Sequence, residues 1–171
     1  MQTFTNEAFD FTQLPKHEAI SLTSLHANYW KVLLIKVLIF FLVFASLLVL
    51  AIVYIEELME FQAYIWIAYA LIWLMVLFFT RISFNNKAFL FREHDVIFKH
   101  GIIASTTMII PYNRIQHVAL HEGFIERWFE LATVEIFTAA GTGSDLGIPG
   151  IDKSQAEDIK QLLMGKIQKQ L

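Results

Sequence analysis

The chain contains no cysteine. Disulfides, thiolate metal sites and cysteine nucleophiles are excluded together, while the redox compartment stays open. Charge is scarce as well: 17% of the 171 residues are charged, against about 25% in an average soluble domain. The net charge is −3, so bulk electrostatics give the chain no general attraction for nucleic acid or another polyanion. What is abundant is apolar: 56% of residues are hydrophobic and the mean hydropathy is +0.52. Most of that excess lies in the first half, which points to a membrane part joined to a more ordinary domain.

Charge is absent altogether from Val37 to Ile55, the larger part of a run over residues 32–55 that reads VLLIKVLIFFLVFASLLVLAIVYI. A second uncharged run, FQAYIWIAYALIWLMVLFFT, covers residues 61–80. A helix needs about 20 apolar residues to cross the hydrocarbon core, so each run predicts one span. Lys36 sits near the start of the first, where its stem can lie in lipid while the ammonium reaches the headgroups. Tyr29, Trp30, Tyr54, Tyr64 and Trp66 lie near segment ends, as interfacial aromatics do, whereas Tyr69 and Trp73 are placed to pack between helices. No small-residue cleavage site follows the first run, which argues against a signal peptide. The connection EELME, residues 56–60, has three acids and no base, while Lys16, Lys31 and Lys36 precede the hairpin and Arg81, Lys87 and Arg92 follow it. The positive-inside rule then predicts a multi-pass protein of the cell membrane with both ends in the cytoplasm. The expected organisation is an N-terminal segment over residues 1–31, a transmembrane hairpin over 32–80 and a cytoplasmic domain over 82–171.

After Arg81 the periodicity changes. Short runs rich in branched and aromatic residues predict strands over Ile82–Phe84, Ala88–Arg92, Asp95–Lys99, Ile102–Ile110, Ile115–Leu120, Thr133–Thr138 and Leu146–Ile148. Asn85-Asn86 and His100-Gly101 are turn signals, and Pro111 marks an edge, a bulge or a strand break. Phe124–Glu130 reads as a short helical turn. Asp152 and Gln155 fit a capping box after Pro149-Gly150, and Ala156, Ile159, Leu162, Leu163, Ile167 and Leu171 then recur on one helical face. The fold class expected is an α+β membrane protein: a two-helix hairpin, then a bent sheet or partial β-barrel closed by a C-terminal helix.

Familiar chemistry finds little support. His117 and His121 share a strand face but stand about 13 Å apart, too far for one metal ion. Gly141-Thr142-Gly143 follows a strand, but no helix opens behind it to cradle a phosphate. Glu122, Glu126 and Glu130 recur every four residues and read as one solvated face, with Glu135 further along. No nucleophile or oxyanion donor accompanies them, so no enzyme, cofactor or metal site is expected. Arg114 and Gln116 share a strand face opposite Ile115 and His117, and Arg127 follows in the turn. They have two readings. In the favoured one Arg114 pairs with an acid and Arg127 clamps carbonyls; in the other, this face recognises a partner or a headgroup.

The run HGIIASTTMIIPYNRIQHVALHEGFIERWFELATVEIFTAAG, with IPGI and AEDIKQLL beyond it, resembles the YdbS-like family of bacterial pleckstrin-homology (PH) domain membrane proteins. The resemblance covers Ile82 to about Gly165 and rests on Gly101, Pro111, Arg114-Ile115-Gln116, Arg127 and Leu131-Ala132-Thr133-Val134. Glu130 departs from it, since glycine is expected there; if the position needs positive φ, glutamate costs about 1 kcal/mol. The resemblance implies a PH-like domain and the company of a larger membrane protein bearing several copies of it. Association with a second copy of this chain is left open.

Two functions from different classes follow. The leading one is a membrane-anchored, non-enzymatic protein–protein interaction module at the cytoplasmic face. The alternative is sensing of a lipid headgroup or phosphate ligand through Lys87, Arg92 and Lys99. Residues 82–171 carry nine Lys or Arg against ten Asp or Glu, whereas binding to anionic lipid generally draws on a cluster of about four to eight basic residues. Transport is disfavoured, because neither span holds an acid or a helix break.

Overall fold

The computed structural model describes residues 21–138 and 146–168. The two uncharged runs form helices α1 (Ala27–Tyr54) and α3 (Gln62–Asn85), joined through the five-residue α2 (Glu56–Glu60). Both long helices are long and apolar enough to cross a membrane. They run antiparallel: Trp30 of α1 faces Phe84 of α3, and Phe41 faces Tyr69 and Trp73. Tyr69 donates its hydroxyl proton to the Phe41 carbonyl at 2.7 Å, as the placement of Tyr69 and Trp73 between helices requires. The outward faces carry exposed Phe40, Leu42, Val53, Ile67 and Phe78, suited to lipid. Ile82–Phe84 is not a strand. No glycine or proline interrupts the chain after Thr80, so α3 continues to Asn85, and Phe84 packs its ring on Tyr29 and Trp30.

Among the described residues, seven strands follow the order of the chain in two antiparallel sheets. The first is β1 (Thr23–Ser24), β2 (Ala88–Phe91), β3 (Asp95–His100) and β4 (Thr106–Pro111); the second is β5 (Ile115–His121), β6 (Leu131–Thr138) and β7 (Leu146–Asp152). The sheets do not close into a barrel. β1 and β4 end one sheet, β5 and β7 the other, and no ladder joins them among the described residues. The strand expected from Ile102 begins only at Thr106, because Gly101 has φ +142° and the chain turns before pairing resumes. A side chain at Gly101 would place its Cβ 1.9 Å from the Ala104 carbonyl oxygen, so glycine is required there. Pro111 ends edge strand β4, where a missing N–H costs no ladder bond. Pro149 and Gly150 lie inside β7, again an edge strand, and do not break it. Gly141-Thr142-Gly143 and Leu171 lie outside the described residues.

The core gathers Val96, Phe98, Ile110, Tyr112 and Ile115 with Leu131, Val134, Ile136, Ile148 and Ile151, and helix α5 (Lys153–Gln168) covers it with Ala156, Ile159 and Leu163. Leu162, expected on that face, is 48% exposed. The Asp152 carboxylate caps α5 by accepting from the Ser154 N–H at 3.0 Å and the Ser154 hydroxyl at 2.7 Å. The segment before the hairpin also contributes to the core. β1 pairs with β2, the His26 N–H donates to the Gly150 carbonyl at 2.9 Å, and Leu25, Tyr29 and Val32 are buried in the same core. Tyr29 is therefore a core residue rather than an interfacial one. Gly150, with φ +67°, lies so close to its ring that an added Cβ would meet Tyr29 Cγ at 2.5 Å. One uninterrupted helix thus runs from the domain core into the apolar span.

Candidate interaction site

Between β4 and β5 the chain makes a single 3₁₀ turn, Tyr112–Arg114. Tyr112 anchors it: its hydroxyl donates to the Arg92 carbonyl at 2.5 Å and its N–H to the His94 carbonyl at 3.0 Å. Burial, with the Asp95 carboxylate nearby, pushes the Tyr112 phenol up to about 12, although the Arg92 charge opposes this. With Tyr112 fixed inward, the next two residues face water. Arg114 is exposed and makes no ion pair among the described residues, so the acid expected to pair with it is not found there. It lies in the turn rather than on a strand, and a bulge between Ile115 and His117 resets the alternation. Gln116 and His117 are therefore both exposed; His117 stacks on Phe137 with centroids 4.1 Å apart.

Arg127 lies elsewhere. It sits on helix α4 (Phe124–Trp128), beyond the far end of β5, about 20 Å of strand away from Arg114. Its side chain is 71% exposed and stands 3.8 Å from Glu122, which Lys153 holds more closely at 3.0 Å. Among the described residues it clamps no carbonyl, and the group nearest its charge is a carboxylate. The fold divides the three motif residues between two places, a polar corner at Arg114 and Gln116 and the short helix α4.

The acids expected to form one solvated face also separate. Glu122 is paired, and Glu130 is exposed at φ 54°, directly after α4. The glycine-like conformation suspected at Glu130 is thus present. Glu126 is buried, with its side chain 5% exposed. Its Oε2 accepts from the Gly123 N–H at 3.1 Å, and its Oε1 receives Lys36 Nζ at 2.7 Å. Lys36 therefore ends on a carboxylate 90 positions along the chain rather than simply reaching for headgroups. No local pattern marks this pair. The available signal was that a cation at the edge of an apolar span calls for a counter-charge.

Of the three bases considered for an anionic ligand, Lys99 is exposed, whereas the other two are engaged or half-buried. Arg92 makes a two-pronged ion pair with Asp95, whose hydrogen bonds raise its pKa further. Lys87 is half-buried, and desolvation lowers its pKa. It lines a groove of about 270 Å³ between the sheets with Phe98, His100, Met108, Leu146 and Pro149. That is below the roughly 300–1,000 Å³ of usual small-molecule sites.

Residues 31–167 match the family described as Bacterial PH domain. Over 68 residues, 40% of its length, the chain is 35% identical to UPF0699 transmembrane protein YdbS of Bacillus subtilis strain 168. That stretch spans 41% of the relative, less than half of it. No solved structure matches the chain. The family match runs from within α1 to within α5 and so takes in both apolar helices, both sheets and the closing helix. The chain belongs to the bacterial PH domain family, as a membrane-associated member.

Proposed function

We propose that the chain is a non-enzymatic interaction module, anchored by its helical hairpin with the PH-like domain at the cytoplasmic face, and that it binds another membrane protein through the corner between β4 and β5. One observation carries this reading. β4 and β5 are the last strands of their sheets among the described residues, and they meet at a turn where Arg114 and Gln116 stand exposed, with Ile109 also exposed on β4. An open edge presents unpaired N–H and C=O groups that a partner strand can complete, with flanking side chains setting specificity.

The orientation draws support from the charge pattern, since the acids lie between the spans and the bases outside them. The pairing of Thr23 with Phe89 is consistent with it, because it brings the segments before and after the hairpin to one side. Resemblance to YdbS-like proteins favours a partner with PH-like domains of its own. Headgroup sensing is the weaker reading, because Arg92 is engaged by Asp95 and Lys87 is half-buried, which leaves only Lys99 of the three exposed.

The test is a photo-crosslinking residue at Gln116 in the full chain in native membranes. The expected product is an adduct with a second membrane protein bearing PH-like domains, lost on Arg114→Glu. Lipid adducts alone, or an adduct indifferent to Arg114→Glu, would refute the assignment. Arg114→Glu itself is expected to change stability by no more than about 0.5 kcal/mol, as for other exposed sites.

A further inference from the structure

α4 is five residues long, too short to be stable by itself, and it carries two of the most exposed aromatic side chains outside the apolar helices. Phe124 is 74% exposed and Trp128 68%, and their rings lie against each other with centroids 5.0 Å apart. Residues 124, 127 and 128 share one helical face, so Arg127 stands beside the two rings. Glu126 points the other way, to α1, where it meets Lys36. A soluble domain has no reason to hold such a pair in water, which raises the question of what lies next to them.

The ion pair fixes the level of α4. Lys36 is the last charge before the uncharged stretch Val37–Ile55, which at about 1.5 Å per residue is about 28 Å long and matches the hydrocarbon core. The opposite helix gives the same boundary. Arg81, the first charge after the second apolar run, lies 4.8 Å from the Trp30 ring. Lys36 lies about 9 Å further along α1 than Trp30, and its side chain leans back toward the helix N-terminus. Its ammonium, and the Glu126 carboxylate on it, therefore sit near the depth of Arg81. The buried acid ties α4 to α1 at this level, and the aromatic side chains on its other face are exposed.

We propose that α4 lies in the interfacial layer of the bilayer, with Phe124 and Trp128 entering it and Arg127 at headgroup level. The occupant of this surface is the bilayer itself, because the surface is continuous with the span through Lys36 and Glu126. Aromatic rings and an arginine on one short helix suit that layer, where one end of each side chain is apolar and the other wet. With α1 entering the domain core at one point and α4 resting on the membrane at another, the domain has one fixed attitude to the surface. This fixed attitude keeps the β4–β5 corner in a constant position for a partner.

The absence of cysteine makes the test direct, since single labels need no background substitutions. Phe124→Cys, Trp128→Cys and, as a reference on exposed α5, Leu162→Cys are each labelled with a nitroxide in the full chain. The proteins are reconstituted in vesicles of phosphatidylglycerol and phosphatidylethanolamine, and label collisions with oxygen and with a water-soluble nickel complex are compared. The expected result is gain of oxygen access and loss of nickel access at 124 and 128, with the reverse at 162. Nickel access at 124 and 128 equal to that at 162 would overturn the proposal. So would exclusion of both reagents with spin–spin broadening that disappears on dilution with unlabelled protein, which would mean that a second copy covers the face. Exclusion of both reagents without such broadening, marking cover by the protein's own domain or another protein, would overturn it equally.

Discussion

Replacing Lys36 with methionine removes the cation from the Lys36–Glu126 pair while keeping an apolar stem of similar length. Glu126, 5% exposed, then keeps one donor, the Gly123 N–H, and loses its counter-charge. Removing one partner of a fully buried pair costs about 3–5 kcal/mol. Lys36 is 45% exposed, so screening reduces the expected loss to about 2–3 kcal/mol. Glu126→Gln costs less, about 1–2 kcal/mol, because the amide still accepts from Gly123 and the half-exposed ammonium can turn to water or headgroups. The double variant is expected to lose no more than Lys36→Met alone, giving a coupling of about 1–2 kcal/mol. Reversible chemical denaturation of the full chain in detergent micelles, followed by circular dichroism, measures all four proteins. A coupling below about 0.5 kcal/mol would refute the reasoning and reduce the pair to a surface contact. A fragment starting at residue 82 is unsuited to the measurement, because it lacks the core residues Leu25, Tyr29 and Val32.

Gly150→Ala is expected to cost about 2–4 kcal/mol, from a left-handed conformation and a clash with Tyr29 together, and to loosen α1 from the domain in hydrogen exchange of residues 26–32. Glu130→Gly is expected to stabilise by about 0.5–1 kcal/mol in the same denaturation assay, because it relieves φ 54°; a loss of stability would contradict this. Asp152→Ala, which removes the acceptor for the Ser154 N–H and hydroxyl, is expected to cost about 1 kcal/mol. The Asp152 pKa is depressed, chiefly by the Ser154 side-chain hydrogen bond, so its contribution is complete above the ordinary aspartate range and is lost as pH falls through the lowered value. Wild type and Asp152→Ala should therefore converge in stability at acid pH. The Tyr112 pKa is raised to about 12, so its contribution is complete below about 10 and is lost as pH rises toward 12; the difference between wild type and Tyr112→Phe should shrink over that window.

The apolar runs, the change of period after Arg81 and the terminal amphipathic helix were legible in the sequence because each is a local pattern. Twenty uncharged apolar residues have few alternatives to a span, and branched residues between glycine and proline have few alternatives to strands. Gly101 was legible for the same reason, since φ is a property of one residue and its immediate neighbours, whereas positive φ at Glu130 was suggested only by the resemblance, which leads to glycine there. Ile82–Phe84 misled because two apolar residues flanking Ser83 fit a strand or the last turn of a helix equally well. With no glycine or proline to stop it, α3 runs on, and the packing of Phe84 on Tyr29 and Trp30 holds its last turn.

What tertiary structure alone decided is which distant groups meet. Sequence spacing placed Arg114, Gln116 and Arg127 in one motif, yet β5 separates them, and the bulge after Ile115 changes which side chains face outward. Spacing also gave Glu122, Glu126 and Glu130 one environment, whereas the fold pairs one, buries one and exposes one. The union of α1 with the domain core was equally hidden, since it depends on Tyr29 meeting Gly150 across more than a hundred residues. Burial and charge pairing are set by neighbours in space, and a linear pattern carries information only about neighbours along the chain.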